Sequence, residues 1–271
     1  MKTSLLAMVL CVAALPAQDT DFSNPVATTL TNIRLDPDAY RNVQVVFPVQ
    51  FAALGKLSNP FFTKFTPADF SNFYVWADEQ PIWQRTSYDH VFGNMFYPKT
   101  GSQLQQIFEL RMYQRLQITG VVRNTFQDQP WIEVLSYDTL SGQVDAATLS
   151  HMYRGEQFMG ERRWQRAIAE LTLAPGSGVP AAVQAAAYKN LGICYLRIGE
   201  SDQAVSALSM AQSLSPTPDR EVEDLLATAN TKPSRELDRV VGQTGLKDYE
   251  RPMWEAFDNE RGGGNPDRVT R

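Results

Sequence analysis

The feature that most constrains this chain is a change of hydrophobic period near residue 145. Before it, apolar side chains alternate with polar ones; after it they recur every three to four residues, and alanine becomes frequent. A period of two buries one face of a β-strand, whereas a period near 3.6 buries one stripe of a helix, so the two halves need different architectures. The expectation is an α+β multidomain chain with the β domain first and an all-α domain second. With 271 residues, 43% of them hydrophobic, there is material for one large core or two modest ones, and whole-chain disorder is excluded.

In the first half, Val43, Val45, Phe47, Val49 and Phe51 alternate with Asn42, Gln44, Val46, Pro48 and Gln50, the pattern of a strand with one buried face. Pro48 has no N–H to give to a ladder, which places it at an edge or a bulge. Residues 70–76 (FSNFYVW) and 91–97 (VFGNMFY) read as two more aromatic strands. Residues 100–113 switch to helical spacing, with Leu104, Ile107, Phe108 and Met112 on one face and Ser102 as N-cap. Alternation returns at Leu116, Ile118, Gly120 and Val122, followed by a polar turn over 124–129 and a strand over 131–135. Three strands, a helix and two strands is the order of the five-stranded OB-fold barrel. The stretch LQITGVVRNTFQDQPWIEVLSY, 116–137, resembles the fourth and fifth strands of such barrels, with Gly120 where a strand bends. The resemblance covers residues 35–140 and implies an OB-like β domain there.

In the second half, Tyr188, Leu191 and Tyr195 fall on one face of a helix, while Gly192, Ala204 and Ala211 are small where two helix backbones approach closely. Gly199 supplies a turn and Pro216 ends the second helix. With Leu208, these residues stand at the spacing of the tetratricopeptide repeat (TPR), a 34-residue helix-turn-helix unit that residues 185–218 resemble. Tyr188 replaces the usual Trp, and Leu208 an aromatic residue. A more degenerate copy over 148–181 carries Gly155, Phe158, Trp164, Ala167, Leu171 and Ala174, with Arg154 where the repeat usually has Leu. The copies are offset by 37 residues, and the loop PGSGVP at 175–180 absorbs the excess over 34. Residues 219–229 read as a capping helix, which puts the helical domain at 145–230. Two repeats and a cap are fewer than the three or so that stabilise such an array, so this one has to lean on the barrel or on another copy of the chain, a homo-oligomer.

Residues 1–17 (MKTSLLAMVLCVAALPA) have one basic residue, Lys2, an uncharged apolar run, and small Ala17, the layout of a secretory signal peptide. The run is shorter than the roughly 20 residues that span a bilayer. A lipid anchor on Cys11 is a rival reading that the bulky Leu10 disfavours. Cleavage leaves 24 basic against 30 acidic residues and Cys194 as the remaining cysteine, between apolar neighbours on a helix and expected to be buried. The expected location is periplasmic or secreted, with no membrane-spanning segment afterwards. Residues 18–34 form a polar entry segment. The tail, 231–271, has 16 charged residues in 41 and reads as largely disordered, apart from Leu246, Tyr249, Met253, Trp254 and Phe257 at helical spacing. That pattern suits a short helix that docks on a partner or packs back on this chain.

The acidic balance opposes nucleic-acid binding. Two His and two Cys are too few for a metal cluster, no nucleotide-binding or hydrolase motif occurs, and no cofactor is implied. Ser87, Tyr88, Asp89 and His90 cannot form a relay as neighbours on an extended chain, and Asp78-Glu79 reads as a solvated loop between Trp76 and Trp83. The aromatics Phe70, Phe73, Tyr74, Trp76, Phe92, Phe96 and Tyr97 suit a barrel interior better than a stacking platform. The repeat resemblance implies a concave face that binds a protein or peptide, and its matching positions are Lys189, Asn190, Ile193, Leu196 and Arg197. The expectation is therefore a non-enzymatic, exported interaction adaptor or scaffold. The alternative is a module that binds a glycan or other polymer on the OB-like domain.

Overall fold

The computed structural model describes residues 24–56, 65–215 and 218–231. The signal stretch, Pro216 and the apolar pattern of the tail lie outside the described residues. The first half is built on β1 (Val26–Ala27), β2 (Gln44–Leu54), β3 (Phe70–Ala77), β4 (Phe92–Pro98), β5 (Arg115–Phe126) and β6 (Gln129–Thr139). Strand β2 pairs antiparallel with β3 and β3 with β4; β4 runs parallel to β6, β6 antiparallel to β5, and β5 returns antiparallel to β2. The result is a closed five-stranded barrel of OB-like order, with β1 added parallel to β2 at one edge. The period of two explains the interior: Val45, Phe47, Val49, Phe73, Val75, Leu116, Ile118, Ile132 and Val134 all point inward and are fully buried.

Local chemistry sets where the strands bend and end. Pro48 falls between the pairing of Val45 and Val46 with β1 and the first β3 pair at Val49, a gap where no ladder needs an N–H. At Gly120 the β5–β6 register shifts, and a Cβ there would lie 2.9 Å from the Glu133 carbonyl oxygen. The polar turn expected over 124–129 contracts to Gln127 and Asp128, both at positive φ, and β5 runs on through Phe126. Ahead of the barrel, Thr29 caps a short helix, α1 (Leu30–Leu35), which adds fully buried Leu30 and Ile33 to the barrel core.

The helix expected over 100–113 is the main local correction. Only α3 (Leu104–Ile107) forms, its N-cap is Gln103 rather than Ser102, and Phe108 is exposed. Tertiary bonds win over helical spacing. The Gln103 side chain donates to the Tyr137 carbonyl at 2.8 Å and accepts from the Tyr137 N–H at 3.1 Å, while the Tyr113 N–H donates to the Phe51 carbonyl at 2.8 Å and draws the chain into β5.

The second half is helical: α4 (Ala146–Gly160), α5 (Trp164–Leu173), α6 (Ala181–Ile198), α7 (Ser201–Leu214) and α8 (Arg220–Asn230). Short connections make consecutive helices antiparallel neighbours. Asp145 caps α4 by accepting from the Thr148 N–H, and Asp219 caps α8 through the N–H groups of Glu221 and Val222. Gly155 of α4 faces Leu171 of α5, and Gly192 of α6 faces Leu208 of α7; in both, a Cβ on the glycine would lie 2.5 Å from the leucine Cγ. Both helix pairs therefore approach closely at a glycine. Cys194 is fully buried and free, and burial pushes its thiol up to about 12.

Gly192→Ala should lose stability although alanine favours a helix by about 1 kcal/mol, because overpacking against Leu208 costs about 1–3 kcal/mol. With Leu208→Ala in the same chain the change should become neutral or favourable, as read by denaturant unfolding. Cys194 should resist alkylation at neutral pH until the chain unfolds, a contrast that mass spectrometry measures.

Candidate functional site

The two halves meet around one buried carboxylate. Glu156, on α4, is 4% exposed. Its Oε1 accepts from Trp83 Nε1 at 2.7 Å and from Asn190 Nδ2 of α6 at 3.2 Å, and its Oε2 accepts from Gln84 Nε2 at 3.0 Å. Trp83 and Gln84 come from the segment between β3 and β4, which also holds the short helix α2 (Arg85–Asp89). Donated hydrogen bonds replace the hydration a buried carboxylate loses. Around this point Ala52, Trp76, Ile82, Trp83 and Tyr88 of the barrel half share one apolar cluster with Leu149, Met152, Tyr153 and Leu191 of the helices.

A second polar clasp lies beside it. Asp78 is 8% exposed rather than solvated, because Arg115 at the start of β5 donates to both its oxygens at 2.6 Å. Arg115 also donates to the Ser141 carbonyl at 2.8 Å, on the chain leading into α4. Barrel closure brings Arg115 to Asp78, a pairing that spacing in sequence does not reveal. Glu79 remains exposed.

The structure distributes the five expected partner-binding residues as follows. Asn190 holds Glu156 and so faces the barrel segment. Ile193 and Leu196 are buried in the shared cluster. Lys189 pairs with Asp219 at 2.9 Å and Glu221 at 2.6 Å, tying α6 to the N-terminus of α8. Burial pushes the Asp219 carboxyl up, but the Lys189 ammonium and the N–H groups of Glu221 and Val222 outweigh it and leave it below its ordinary value. Arg197 is half-buried, its guanidinium 5.5 Å from the centre of the Trp164 ring.

Arg197 belongs to a constellation absent from the sequence reading. Where α4 turns into α5 and α6 ends, Arg162, Arg163, Trp164, Gln165, Arg166 and Ile198 line an open recess of about 430 Å³. Arg166 lies 5.9 Å from the centre of the Phe158 ring, and Arg163 is 3.1 Å from the exposed Glu161. Cationic groups over aromatic faces suit an acidic ligand that also carries apolar side chains. The run Arg162-Arg163-Trp164-Gln165-Arg166 was its signal, though its meaning depends on Arg197 arriving from α6.

Other candidates have structural roles. Asp89 pairs with Arg85 across the exposed α2, and exposed His90 contacts the Thr86 carbonyl, so no relay with Ser87 is built. Phe73, Trp76, Phe92, Phe96 and Tyr97 are buried. Trp76 Nε1 donates to the Tyr88 carbonyl and Trp83 Nε1 to Glu156, and both indoles are buried. Among the described residues, no group of three or more His, Cys, Asp or Glu is placed to hold a metal, and no helix is long and apolar enough to cross a membrane.

The sequence matches no protein-family profile and no curated protein. Among solved structures it is similar to one from Leishmania major Friedlin described as an aspartyl-tRNA synthetase, at 8% identity and a TM-score of 0.31. The match covers 59% of this chain and 35% of that one.

Glu156→Leu should lose about 2–4 kcal/mol, because it strands the buried Trp83 donor and the half-buried donors of Gln84 and Asn190. In a double-mutant cycle with Trp83→Phe, a coupling of about 1–3 kcal/mol should remain, as read by denaturant unfolding.

Proposed function

We propose that this protein is a non-enzymatic, exported interaction adaptor that binds an acidic protein or peptide through a TPR-like helical half, with the OB-like barrel as its rigid support. The observation that carries the reading is the arginine-rich recess beside Trp164. Two further facts support a repeat. The Gly155/Leu171 and Gly192/Leu208 contacts recur at an offset of 37 residues. So do the helix ends: Arg163 N–H donates to the Phe158 carbonyl and Glu200 N–H to the Tyr195 carbonyl, in the same six-residue closure. The barrel segment carrying Trp83 packs on the helical face that holds Asn190, which supplies the support that so short an array needs.

The face around Asn190 and Lys189 is engaged within the chain, and Arg197, half-buried over the Trp164 ring, is the member of the expected set beside the recess. The test is affinity capture from a cell-envelope extract, comparing the native protein with Arg166→Glu/Arg197→Glu after circular dichroism has shown both folded. Capture of the same partner should fall by about tenfold or more in the variant and weaken as salt rises. Equal capture by both, or capture indifferent to salt, would move the binding surface away from the recess.

A further inference from the structure

Two exposed apolar side chains in the helical half share one position in the repeat. Among the described residues of α4 to α8, Leu173 at 64% exposed and Met210 at 45% are the large hydrophobic side chains left in solvent. They stand 37 residues apart, the offset that also relates Gly155 to Gly192 and Leu171 to Leu208. The repeat therefore sets them at the same level on α5 and α7, two parallel helices that flank α6. Their surroundings match as well. Ile168 and Val205 are half-buried, and Ala169, Thr172, Ser206 and Ser209 are exposed, so the outer face carries no charge from Ile168 to the end of α5 or from Val205 to the end of α7. Glu170 is turned away to His151 and Arg154 of α4. Exposed helix faces are ordinarily charged, and 20% of this chain is. An uncharged, partly apolar face that recurs in register is a surface built to be covered.

We propose that the cover is residues 246–257 of this same chain, seated across the outer face of α5 and α7. The tail's three aromatic residues, Tyr249, Trp254 and Phe257, all fall in this segment, and with Leu246 and Met253 they stand at helical spacing among five charged residues. Pro252 pre-sets a first helical turn for Met253, Trp254 and Phe257. One face of such a segment is apolar and the other solvated, the complement of an uncharged surface. The seat also has depth. Leu173 with Ala174, Pro175 and Val179 lines part of an open hollow of about 510 Å³, room for an aromatic side chain. The chain leaves from within reach: antiparallel packing ends α8 beside the start of α7, and the 14 residues of α7 are ~21 Å long. The 14 residues from 232 to 245 extend up to ~45 Å. A tether of that length holds the segment near its seat at about millimolar concentration, which favours it over a second copy of the chain. Leu173 stands at the C-terminal end of α5 and the arginine recess at its N-terminal end, so the docked tail and the partner recess are separate surfaces.

Cysteine protection in the full chain tests this. The chain carries Cys11→Ser, so that buried Cys194 is the remaining native thiol, and Ser209→Cys, exposed beside Met210, as the reporter. With the native tail, alkylation of the reporter by iodoacetamide should be about tenfold slower than with Trp254→Glu/Phe257→Glu. Leu173→Lys/Met210→Lys should remove the protection to the same extent. A second reporter, Gln203→Cys, exposed at the other end of α7, should react alike with either tail. The lysines replace exposed side chains and the glutamates lie in the tail, so circular dichroism should show the helices intact in every variant. Protection should also be unchanged over about a fiftyfold range of protein concentration, as expected when segment and face belong to one chain. Equal alkylation with both tails, protection that survives the lysine changes, or protection that grows with concentration beside a dimer mass would overturn the proposal, the last in favour of a second copy.

Discussion

The buried Glu156 carboxylate organises this molecule. It stands on α4, takes one donor from α6 and two from the segment between β3 and β4, and so fixes three separate stretches of chain at one point. A carboxylate out of water is costly unless donors surround it, which makes the position intolerant of misplacement and the seam specific. The apolar cluster around it then runs from Trp76 and Ile82 in the barrel half to Leu191 in α6 without a break. The helical layer and the barrel hold each other in place, and the helix ends farther out are left to carry exposed chemistry.

Two kinds of polar contact divide the work. Asp78–Arg115 and Glu156–Trp83 are buried or nearly so and lock elements remote in sequence. Lys189 with Asp219 and Glu221 is more exposed and secures the last helix. The sign of its pH dependence follows from the Asp219 carboxyl lying below its ordinary value: the contribution is complete above the unfolded carboxylate's pKa and is lost as pH falls through the lowered one. The arginines beside Trp164 differ from both, since Arg162, Arg163 and Arg166 are exposed at the end of the helical layer. That contrast is why the proposed binding role is placed there and not on the inner helix face.

Much of the fold was legible in advance. The period-two runs marked β2, β3, β4 and β6 to within a few residues, because burying one face of a strand imposes that pattern whatever the partner strand is. Gly199 marked the turn between α6 and α7, Ala204 and Leu208 the α7 face that packs on α6, and 219–229 the last helix, because turns and close approaches need particular residue types. The segment around α3 was not legible: its spacing suits a helix, yet Gln103 and Tyr113 are taken by Tyr137 and Phe51. Of the expected site, Ile193 and Leu196 show the limit of inferring a surface from a helical register, since the register gives the face and not what covers it.

The sequence by itself determined most of the strands and helices, the segment around α3 excepted, that Cys194 is buried, and that the chain is α+β. Those properties follow from local spacing and from conformational preferences of single residues. The tertiary structure decided that the strands close into a barrel, that Asp78 is paired and not solvated, that Asn190 faces Glu156, and that Arg197 joins Arg162, Arg163 and Arg166. Each of these depends on residues more than 30 positions apart coming together in space. Spacing along a chain carries no information about such meetings until loops have closed and cores have packed.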